Sequence, residues 1–346
     1  MCKNHQPISV SSRKIVADLF DHNAAIYWTD FLFSLAVAYG AAAVYFSASM
    51  LSATQIISFL IAGCGLYRVA SFMHEIVHFR SREMRTFRIV WNLLAGIPML
   101  TPTFFYESHV DHHNARHYGT DHDGEYLPLA ASSHWSIGVF LAQIFLQPIL
   151  VTLRFLLTPL TFLHPRLRLW TLQHASSFVI DFKYCRMIPP RAPLRTWALM
   201  DLACSIRAWA IFACVIAGVT QWTRLPQLYC LAAFALGLNH IRTLAAHRYL
   251  SHGQPLSHDD QVLDSANVTG TTVFTELLFP LGMRYHGLHH LFPRLPYHNL
   301  GIAHRRLMAE LPKDSAYRAT VYPSWFSVVR ELVENSRWDQ GSASPG

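Results

Sequence analysis

The sequence predicts an all-α integral membrane protein with four transmembrane helices, interfacial helices and a histidine-rich cap that faces the cytoplasm. The first observation is composition, because 52% of the 346 residues are hydrophobic and only 14% are charged, whereas charged residues make up about 25% of an average soluble domain. The second is a series of uncharged stretches, several of which approach the roughly 20 residues that cross a bilayer. The third is a set of 21 histidines, many of them in three short motifs.

The first two spans are predicted near the N-terminus. Residues 1–25 are polar and include an amphipathic pattern around Ile15 and Leu19, which indicates a surface helix rather than a signal peptide. The uncharged stretches 31–50 and 51–67 follow, and each is long enough to cross a bilayer. We therefore expect two spans that are joined by a very tight turn.

Two further apolar stretches are expected to lie at the membrane surface or to re-enter it. Residues 89–106 contain two prolines, and residues 135–163 contain Gln143, Gln147 and Arg154. If either stretch crossed alone, the histidine motifs on its two sides would face opposite compartments. We therefore predict that both are interfacial or re-entrant helices.

The third and fourth spans are predicted at 198–223 and 225–241. With these spans, every Lys and Arg except Arg224 lies on the side of the histidine motifs or at that end of a span. The positive-inside bias then places the motifs in the cytoplasm, and in a bacterium the membrane would be the inner one. We see no nucleic-acid-binding module, so the formal charge of +7 is attributed to this bias.

We find no internal repeat and no second domain. The predicted organisation is an N-terminal cytoplasmic segment at 1–25, a single membrane domain at 26–340 and a disordered tail at 341–346.

The histidines form three boxes with the spacings H-x-x-x-H, H-x-x-H-H and H-x-x-H-H. On a helix, residues three and four apart share a face, so each box directs imidazoles at one point. Eight imidazoles are too many for one tetrahedral zinc ion, so two metal ions are implied. Iron is the usual metal where oxygen is activated, although nitrogen ligands alone do not exclude zinc, copper or nickel. The predicted ligands are His74, His78, His109, His112, His113, His286, His289 and His290.

A ninth candidate ligand is His247. The segment 239–249 continues the fourth span without a helix breaker, and His240, Thr243 and His247 would share one helical face. A helix that projects from the membrane could carry that face to the metals.

Acidic residues beside the boxes could orient the ligands, since metal-bound imidazoles commonly donate their second N–H to a carboxylate. Spacing alone does not separate this role from that of a solvated surface charge. The candidates are Glu75, Asp111, Asp123 and Glu125.

Together with the boxes, two further strings resemble the membrane fatty acid desaturase superfamily. These are Gly119-Thr120 with Asp123-Gly-Glu-Tyr126, and the string His289-His-Leu-Phe-Pro-Arg-Leu-Pro-Tyr-His-Asn-Leu300, which is particularly similar to acyl-chain desaturases. The resemblance covers about 31–311. It implies a non-haem diiron centre, O2 as co-substrate, an external electron donor, and insertion of a double bond into a lipid-linked or thioester acyl chain.

The resemblance also implies that all nine histidines are metal ligands. Some members of the superfamily carry an Asn one turn before the additional histidine, which contributes through a water molecule. Here Thr243 lies four residues before His247. Thr243, Asn239 and His240 therefore remain alternatives for that role.

The chemistry of the substrate agrees with a redox metal. An unactivated methylene has no acidic proton and no leaving group, so acid–base or nucleophilic catalysis cannot begin on it. The sequence has no four-cysteine iron–sulfur or rubredoxin pattern, no G-x-G-x-x-G and no cytochrome b5 haem motif. We therefore expect a separate electron carrier of the ferredoxin or cytochrome b5 type, and a membrane lipid or acyl substrate.

Two alternatives to a desaturase are kept. One is a diiron hydroxylase or ketolase that acts on alkane, carotenoid or sphingoid chains, although the absence of N-Y-x-x-H-Y-G counts against the alkane branch. The other is a non-catalytic histidine-rich membrane or metal-transport protein, for which we would expect ionisable residues inside the spans.

Overall fold

The structure is a computed structural model that describes residues 8–80 and 82–336. It is mostly helical. The tail at 341–346, predicted to be disordered, lies outside the described residues. The first seven residues of the predicted N-terminal segment also lie outside them.

Helices account for nearly all of the regular structure in the described residues. In chain order they are α1 Ile8–Ile15, α2 Ala24–Ser47, α3 Ala53–His78, α4 Arg85–Trp91, α5 His109–His112, α6 His134–Leu156, α7 Thr158–Thr161, α8 Pro165–His174, α9 Leu194–Ile216, α10 Arg224–Thr243, α11 His258–Asp264, α12 Val273–Leu278, α13 His286–Leu291, α14 Tyr297–Glu310 and α15 Trp325–Asn335. Two short strands, β1 Asn267–Val268 and β2 Val321–Tyr322, pair in parallel.

Contacts divide the described chain into two compact units. The apolar unit consists of 24–109 and 142–239, and the histidine-rich unit consists of 8–23, 110–141 and 240–336. Each unit is built from segments that are distant in sequence. Long-range contacts therefore hold each of them together.

In the apolar unit, α2 and α3 form the tight hairpin that the sequence predicts. Ser52 caps α3 by accepting a hydrogen bond from the backbone N–H of Gln55 at 3.1 Å. Close packing depends on Gly65, because a Cβ there would lie 2.9 Å from the Cβ of Ala38. Small residues allow such close approach between membrane helices. The α2–α3 hairpin is therefore specified by its turn and by its contact face.

Helix α3 is longer than the predicted second span because it continues through the first histidine box. It has 26 residues, or about 39 Å at 1.5 Å per residue, which exceeds the roughly 30 Å of a bilayer core. The last turns can therefore project beyond the lipid while remaining part of one rigid helix.

Four described helices are long and apolar enough to cross a membrane: α2, α3, α6 and α9. The predicted number of spans is thus confirmed, and three of the four are predicted spans. The fourth, α6, was predicted to be interfacial or re-entrant, and α10, the predicted fourth span, is not in this set. The polar groups of α6 are satisfied by protein: Gln143 donates to the carbonyl of Ile180 at 2.8 Å, and Arg154 pairs with Asp201 at 2.9 Å.

Packing nevertheless favours α10 as a member of the helical bundle. At its start, the Arg224 guanidinium lies over the Phe46 ring at the end of α2, 4.2 Å from the centroid. Further along, the rings of Phe234 in α10 and Phe59 in α3 are 5.1 Å apart. Helix α10 therefore follows the α2–α3 hairpin over several turns.

By contrast, the end of α6 returns to the region where α9 begins. Arg154 near the end of α6 and Arg168 in α8 both bind Asp201 in the second turn of α9, at 2.9 and 2.5 Å. The chain on both sides of the α6–α8 connection thus reaches the same carboxylate. This contact is expected both for a re-entrant α6 and for an α6 that crosses and is followed by a crossing α9, so the role of α6 stays a prediction.

Of the other interfacial predictions, the one for residues 89–106 agrees with the structure and the one for the N-terminal surface helix agrees only in part. The stretch 89–106 does not form a long helix, since α4 passes into a π-helical turn at Asn92–Gly96 and ends. The predicted surface helix is displaced, because α1 ends at Ile15 and Leu19 lies in a separate short 3-10 helix at Ala17–Leu19. The cytoplasmic orientation of the histidine boxes stays a prediction.

The side of the membrane that Cys185 faces tests the role of α6. If α9 and α10 are spans and α6 is re-entrant, the exposed Cys185 lies on the same side as the boxes, whereas a crossing α6 places it on the opposite side. We expect an impermeant maleimide to label Cys185 from the same side as a cysteine introduced by Ala115→Cys, which is exposed beside the second box.

Vesicles of defined orientation give the comparison. The Cys185→Ser variant serves as the control, because the difference between it and the wild type reports on Cys185 alone. Labelling of the two positions from opposite sides would show that α6 crosses the membrane.

Candidate metal centre

Four histidines in the histidine-rich unit converge at one buried point. They are His112, His247, His286 and His290, and their potential ligand atoms all lie within 4.8 Å of one another. The Nε2 of His247 is 3.1 Å from that of His112 and 2.9 Å from that of His286. The Nε2 atoms of His286 and His290 are 3.2 Å apart.

This donor set fits a metal ion. Imidazole nitrogens that bind one ion at about 2.0–2.1 Å are held about 2.8–3.4 Å from one another in octahedral or tetrahedral geometry. The observed separations match that spacing. Burial lowers the pKa of His247 and of His290 well below the ordinary value, which favours the neutral imidazole that binds a metal.

Two more box histidines meet in the same unit. The Nε2 atoms of His113 and His289 are 3.0 Å apart. His289 is buried, whereas His113 is partly exposed. Together with the four convergent histidines, these residues account for all six predicted ligands of the histidine-rich unit.

The apolar unit holds the other three predicted ligands as a group. His74 and His78 lie one turn apart near the end of α3, and His109 begins α5. The ring centroid of His109 lies 4.7 Å from that of His74 and 5.1 Å from that of His78. The potential ligand atoms of the three lie within 4.8 Å of one another. The i, i+4 spacing of the first box therefore acts as the sequence analysis expects.

The third box is held in place by Asn267. Its side-chain oxygen accepts the backbone N–H of Leu288 at 3.0 Å, which satisfies a donor in the first turn of α13, and its amide donates to Thr320 at 2.6 Å. A Cβ on Gly287 would lie 2.9 Å from that amide nitrogen. The glycine between His286 and His289 is therefore required by the close approach of Asn267.

Asp123, one of the predicted orienting carboxylates, contacts a convergent histidine directly. Its Oδ2 lies 2.8 Å from Nδ1 of His112 and also accepts the backbone N–H of Gly119 at 3.0 Å. Burial alone would lower the pKa of His112, but the charge and hydrogen bond of Asp123 outweigh it and raise that pKa. With Nδ1 donating to Asp123, Nε2 of His112 is directed at the other imidazoles.

The other predicted acidic residues make different contacts. Glu75 accepts a hydrogen bond from the hydroxyl of Tyr27 at 2.5 Å in the apolar unit. Asp111 lies 3.2 Å from Nδ1 of His117. Glu125 donates its backbone N–H to Asp123 at 3.0 Å and so helps to hold that carboxylate.

The predicted helical setting of His247 is wrong, although His247 does join the convergent group. Helix α10 ends at Thr243, and His247 forms an isolated antiparallel bridge with Ser265. Directly after the helix the chain makes a tighter turn, in which the backbone N–H of Ala246 donates to the carbonyl of Thr243 at 3.0 Å, and the Tyr249 hydroxyl donates to the same carbonyl at 2.6 Å. A continuous helix over 239–249 is therefore excluded.

The structure describes some contacts of the three alternatives proposed beside His247, and their role stays a prediction. The Thr243 hydroxyl accepts a hydrogen bond from Arg242 at 3.1 Å. The ring of His240 packs on Phe140, with centroids 4.8 Å apart. Asn239 is partly buried in α10 and belongs to the apolar unit.

Sequence reasoning missed the residues that do contact His247. Its Nδ1 lies 2.8 Å from the hydroxyl of Tyr118 and 3.2 Å from that of Ser265. The Tyr118 hydroxyl donates to Asp264 at 2.6 Å, and burial raises the pKa of this carboxyl to about 6. No spacing rule connects Asp264 with a box, whereas Tyr118 directly precedes the Gly119-Thr120 string that the family resemblance includes.

The comparisons with known proteins agree with this geometry. The family model described as fatty acid desaturase matches residues 51–322, so the chain belongs to that family, and the resemblance is confirmed. The family supports a membrane-bound oxidoreductase of the desaturase and hydroxylase superfamily. Among its relatives is a protein of Caulobacter vibrioides (strain NA1000 / CB15N) named ceramide hydroxylase. The two are 36% identical over 347 residues, which covers 99% of this chain and 98% of the relative.

The contact between Asp123 and His112 yields a testable prediction. Replacing Asp123 by Ala removes the acceptor that orients His112, so metal affinity should fall about 10- to 100-fold. Iron per chain after dialysis against a graded series of chelator concentrations measures the effect. The Asp121→Ala variant is the matched control, because Asp121 is exposed two residues away. Equal iron retention by both variants would contradict the orienting role of Asp123.

Proposed function

We propose that this protein is an O2-dependent, non-haem diiron membrane enzyme that hydroxylates an unactivated carbon of a ceramide-type lipid. The convergence of four buried imidazoles supports a redox metal centre. The similarity to a ceramide hydroxylase over almost the whole of both chains supports the reaction and the substrate class.

Desaturation of a fatty acyl chain is the second candidate. It is favoured by the string from His289 to Leu300, which is similar to acyl-chain desaturases, and family membership supports it about as well as hydroxylation. The two reactions share the attack on an unactivated C–H bond. They differ in whether oxygen is added to the carbon or a second hydrogen is removed from its neighbour.

The proposed cofactor is a pair of iron ions. His112, His247, His286 and His290 would hold one ion. The sequence pattern and the family support the other five box histidines as ligands of the second. When bound, the irons would supply the activation of O2 that a C–H bond without acidic protons requires.

The chain's own residues prepare this site in two ways. Burial excludes water and keeps His247 and His290 neutral, so that their nitrogens are available as ligands. The Oδ2 atom of Asp123 lies 2.8 Å from Nδ1 of His112 and so favours a proton on that nitrogen. These contacts fix the orientation of the imidazoles before a metal arrives.

We also propose an electron donor and a membrane location for the enzyme. Electrons would come from a separate ferredoxin or cytochrome b5 type carrier, since the sequence contains no motif for an electron-transfer cofactor. The enzyme would be a multi-pass membrane protein with its active site on the cytoplasmic side, in the inner membrane of a bacterium.

Product analysis tests the proposed reaction. The protein is produced in a bacterial host that makes ceramides, together with a ferredoxin and its reductase, and lipids are compared by mass spectrometry under labelled O2. We expect ceramides that gain one labelled oxygen atom, and no product from the His286→Ala variant, which lacks one convergent imidazole. The His252→Ala variant, altered at an exposed histidine outside the boxes, should retain full activity.

The other outcomes each exclude the leading proposal. Lipids that lose two hydrogens without gaining oxygen would identify a desaturase. Unchanged lipids from wild-type protein that contains iron and receives electrons would favour the non-catalytic or metal-transport alternative.

A further inference from the structure

The hydrogen bonds around His247 assign a role to two residues outside the boxes. We propose that Asp264 is a positioning residue that acts through Tyr118 to set the position of the proton on His247. This inference rests on the proposed metal-binding function of the convergent histidines, and it concerns how one of their imidazoles is prepared.

The first step is the direction of His247. Its Nε2 faces Nε2 of His286 at 2.9 Å and Nε2 of His112 at 3.1 Å. A neutral imidazole carries one N–H and one free lone pair. For Nε2 to bind a metal, the proton of His247 must lie on Nδ1.

The second step is the partner of that proton. The Tyr118 hydroxyl lies 2.8 Å from Nδ1 of His247 and 2.6 Å from Oδ2 of Asp264. A hydroxyl has a single hydrogen. If that hydrogen is donated to Asp264, the oxygen of Tyr118 can only accept from His247, which is the arrangement that metal binding requires.

The Tyr118 hydrogen points to Asp264 because this side chain can only accept hydrogen bonds. A carboxylate is only an acceptor, and Asp264 receives three donors. Its Oδ2 accepts from Tyr118 and from Tyr126, the latter at 2.9 Å, and its Oδ1 accepts the backbone N–H of Leu250 at 2.8 Å. The order of donation is therefore His247 to Tyr118 to Asp264.

An Asp264→Asn substitution should reverse this order with almost no change in shape. The backbone N–H of Leu250 is a fixed donor, so the amide oxygen must remain opposite it and the amide NH2 must face Tyr118. Tyr118 then accepts from the amide and donates to Nδ1 of His247. The proton of the imidazole moves to Nε2, where it blocks the metal.

Two phenylalanine variants separate this effect from simple loss of contacts. In Tyr118→Phe, the Ser265 hydroxyl, 3.2 Å from Nδ1, can still accept the His247 proton because its own hydrogen is donated to the carbonyl of Gln261 at 2.8 Å. A mild effect is therefore expected. Tyr126→Phe removes a hydrogen bond to the same carboxylate without removing a hydrogen bond of His247, and is the matched control.

The experiment measures iron retained by full-length protein in detergent micelles during dialysis against a graded series of ferrous chelator concentrations, with thermal unfolding followed in parallel. We expect Asp264→Asn to lose one of two irons at a chelator concentration about 10- to 100-fold lower than the wild type. Tyr118→Phe should lose it at an intermediate concentration, and Tyr126→Phe at the wild-type concentration.

The double variant Tyr118→Phe with Asp264→Asn gives the decisive comparison. Without the Tyr118 hydroxyl, no hydrogen-bond chain connects the amide at position 264 with Nδ1 of His247, so the amide cannot change the position of the His247 proton. Iron retention should therefore recover to that of Tyr118→Phe alone. A purely structural role for Asp264 predicts that the double variant is worse than either single one, and that result would overturn the inference. The double variant remains informative if Asp264→Asn alone does not fold.

Different results would contradict the role of Asp264 and the proposed function. Equal iron retention by the wild type and Asp264→Asn would overturn the inference and leave the metal centre intact. Absence of iron from the wild type after loading would overturn the proposed function itself.

Discussion

The structure depends on bringing several neutral imidazoles to one buried point with their lone pairs directed at each other. Unprotonated Nε2 atoms 2.9–3.2 Å apart in the interior repel each other unless a cation lies among them. A protein that folds into this arrangement must therefore hold it with contacts that do not depend on the metal. Contacts away from the convergent Nε2 atoms accordingly fix the rings. Asp123 binds Nδ1 of His112, and Asn267 anchors the helix that carries His286 and His290.

Much of this arrangement could be predicted from the sequence because it follows helical periodicity. The spacing within each box identified eight of the nine histidines that the structure brings into groups, and uncharged length identified α2, α3 and α9. Predictions failed where tertiary contacts decide. The helix that was expected to carry His247 ends at Thr243, whose carbonyl accepts a hydrogen bond from the Tyr249 hydroxyl. Asp264 has no periodic relation to any box, so only the fold could reveal it.

The geometry and the comparisons identify the class of enzyme, but they do not distinguish hydroxylation from desaturation. A buried histidine group in a member of the fatty acid desaturase family defines a membrane oxidoreductase. Whether oxygen enters the product depends on how the substrate chain lies relative to the metal, because displacements of about 1 Å change reaction outcomes by large factors.

The central claim is that these imidazoles bind iron, and X-ray absorption at the iron edge of the purified, iron-loaded protein tests it most directly. We expect two irons per chain with a first shell of nitrogen or oxygen and with the outer-shell scattering that imidazole rings produce. Loss of part of that imidazole scattering in the His247→Ala variant would identify His247 as a contributor. Iron that shows no imidazole scattering, or protein that takes up no iron, would contradict the account.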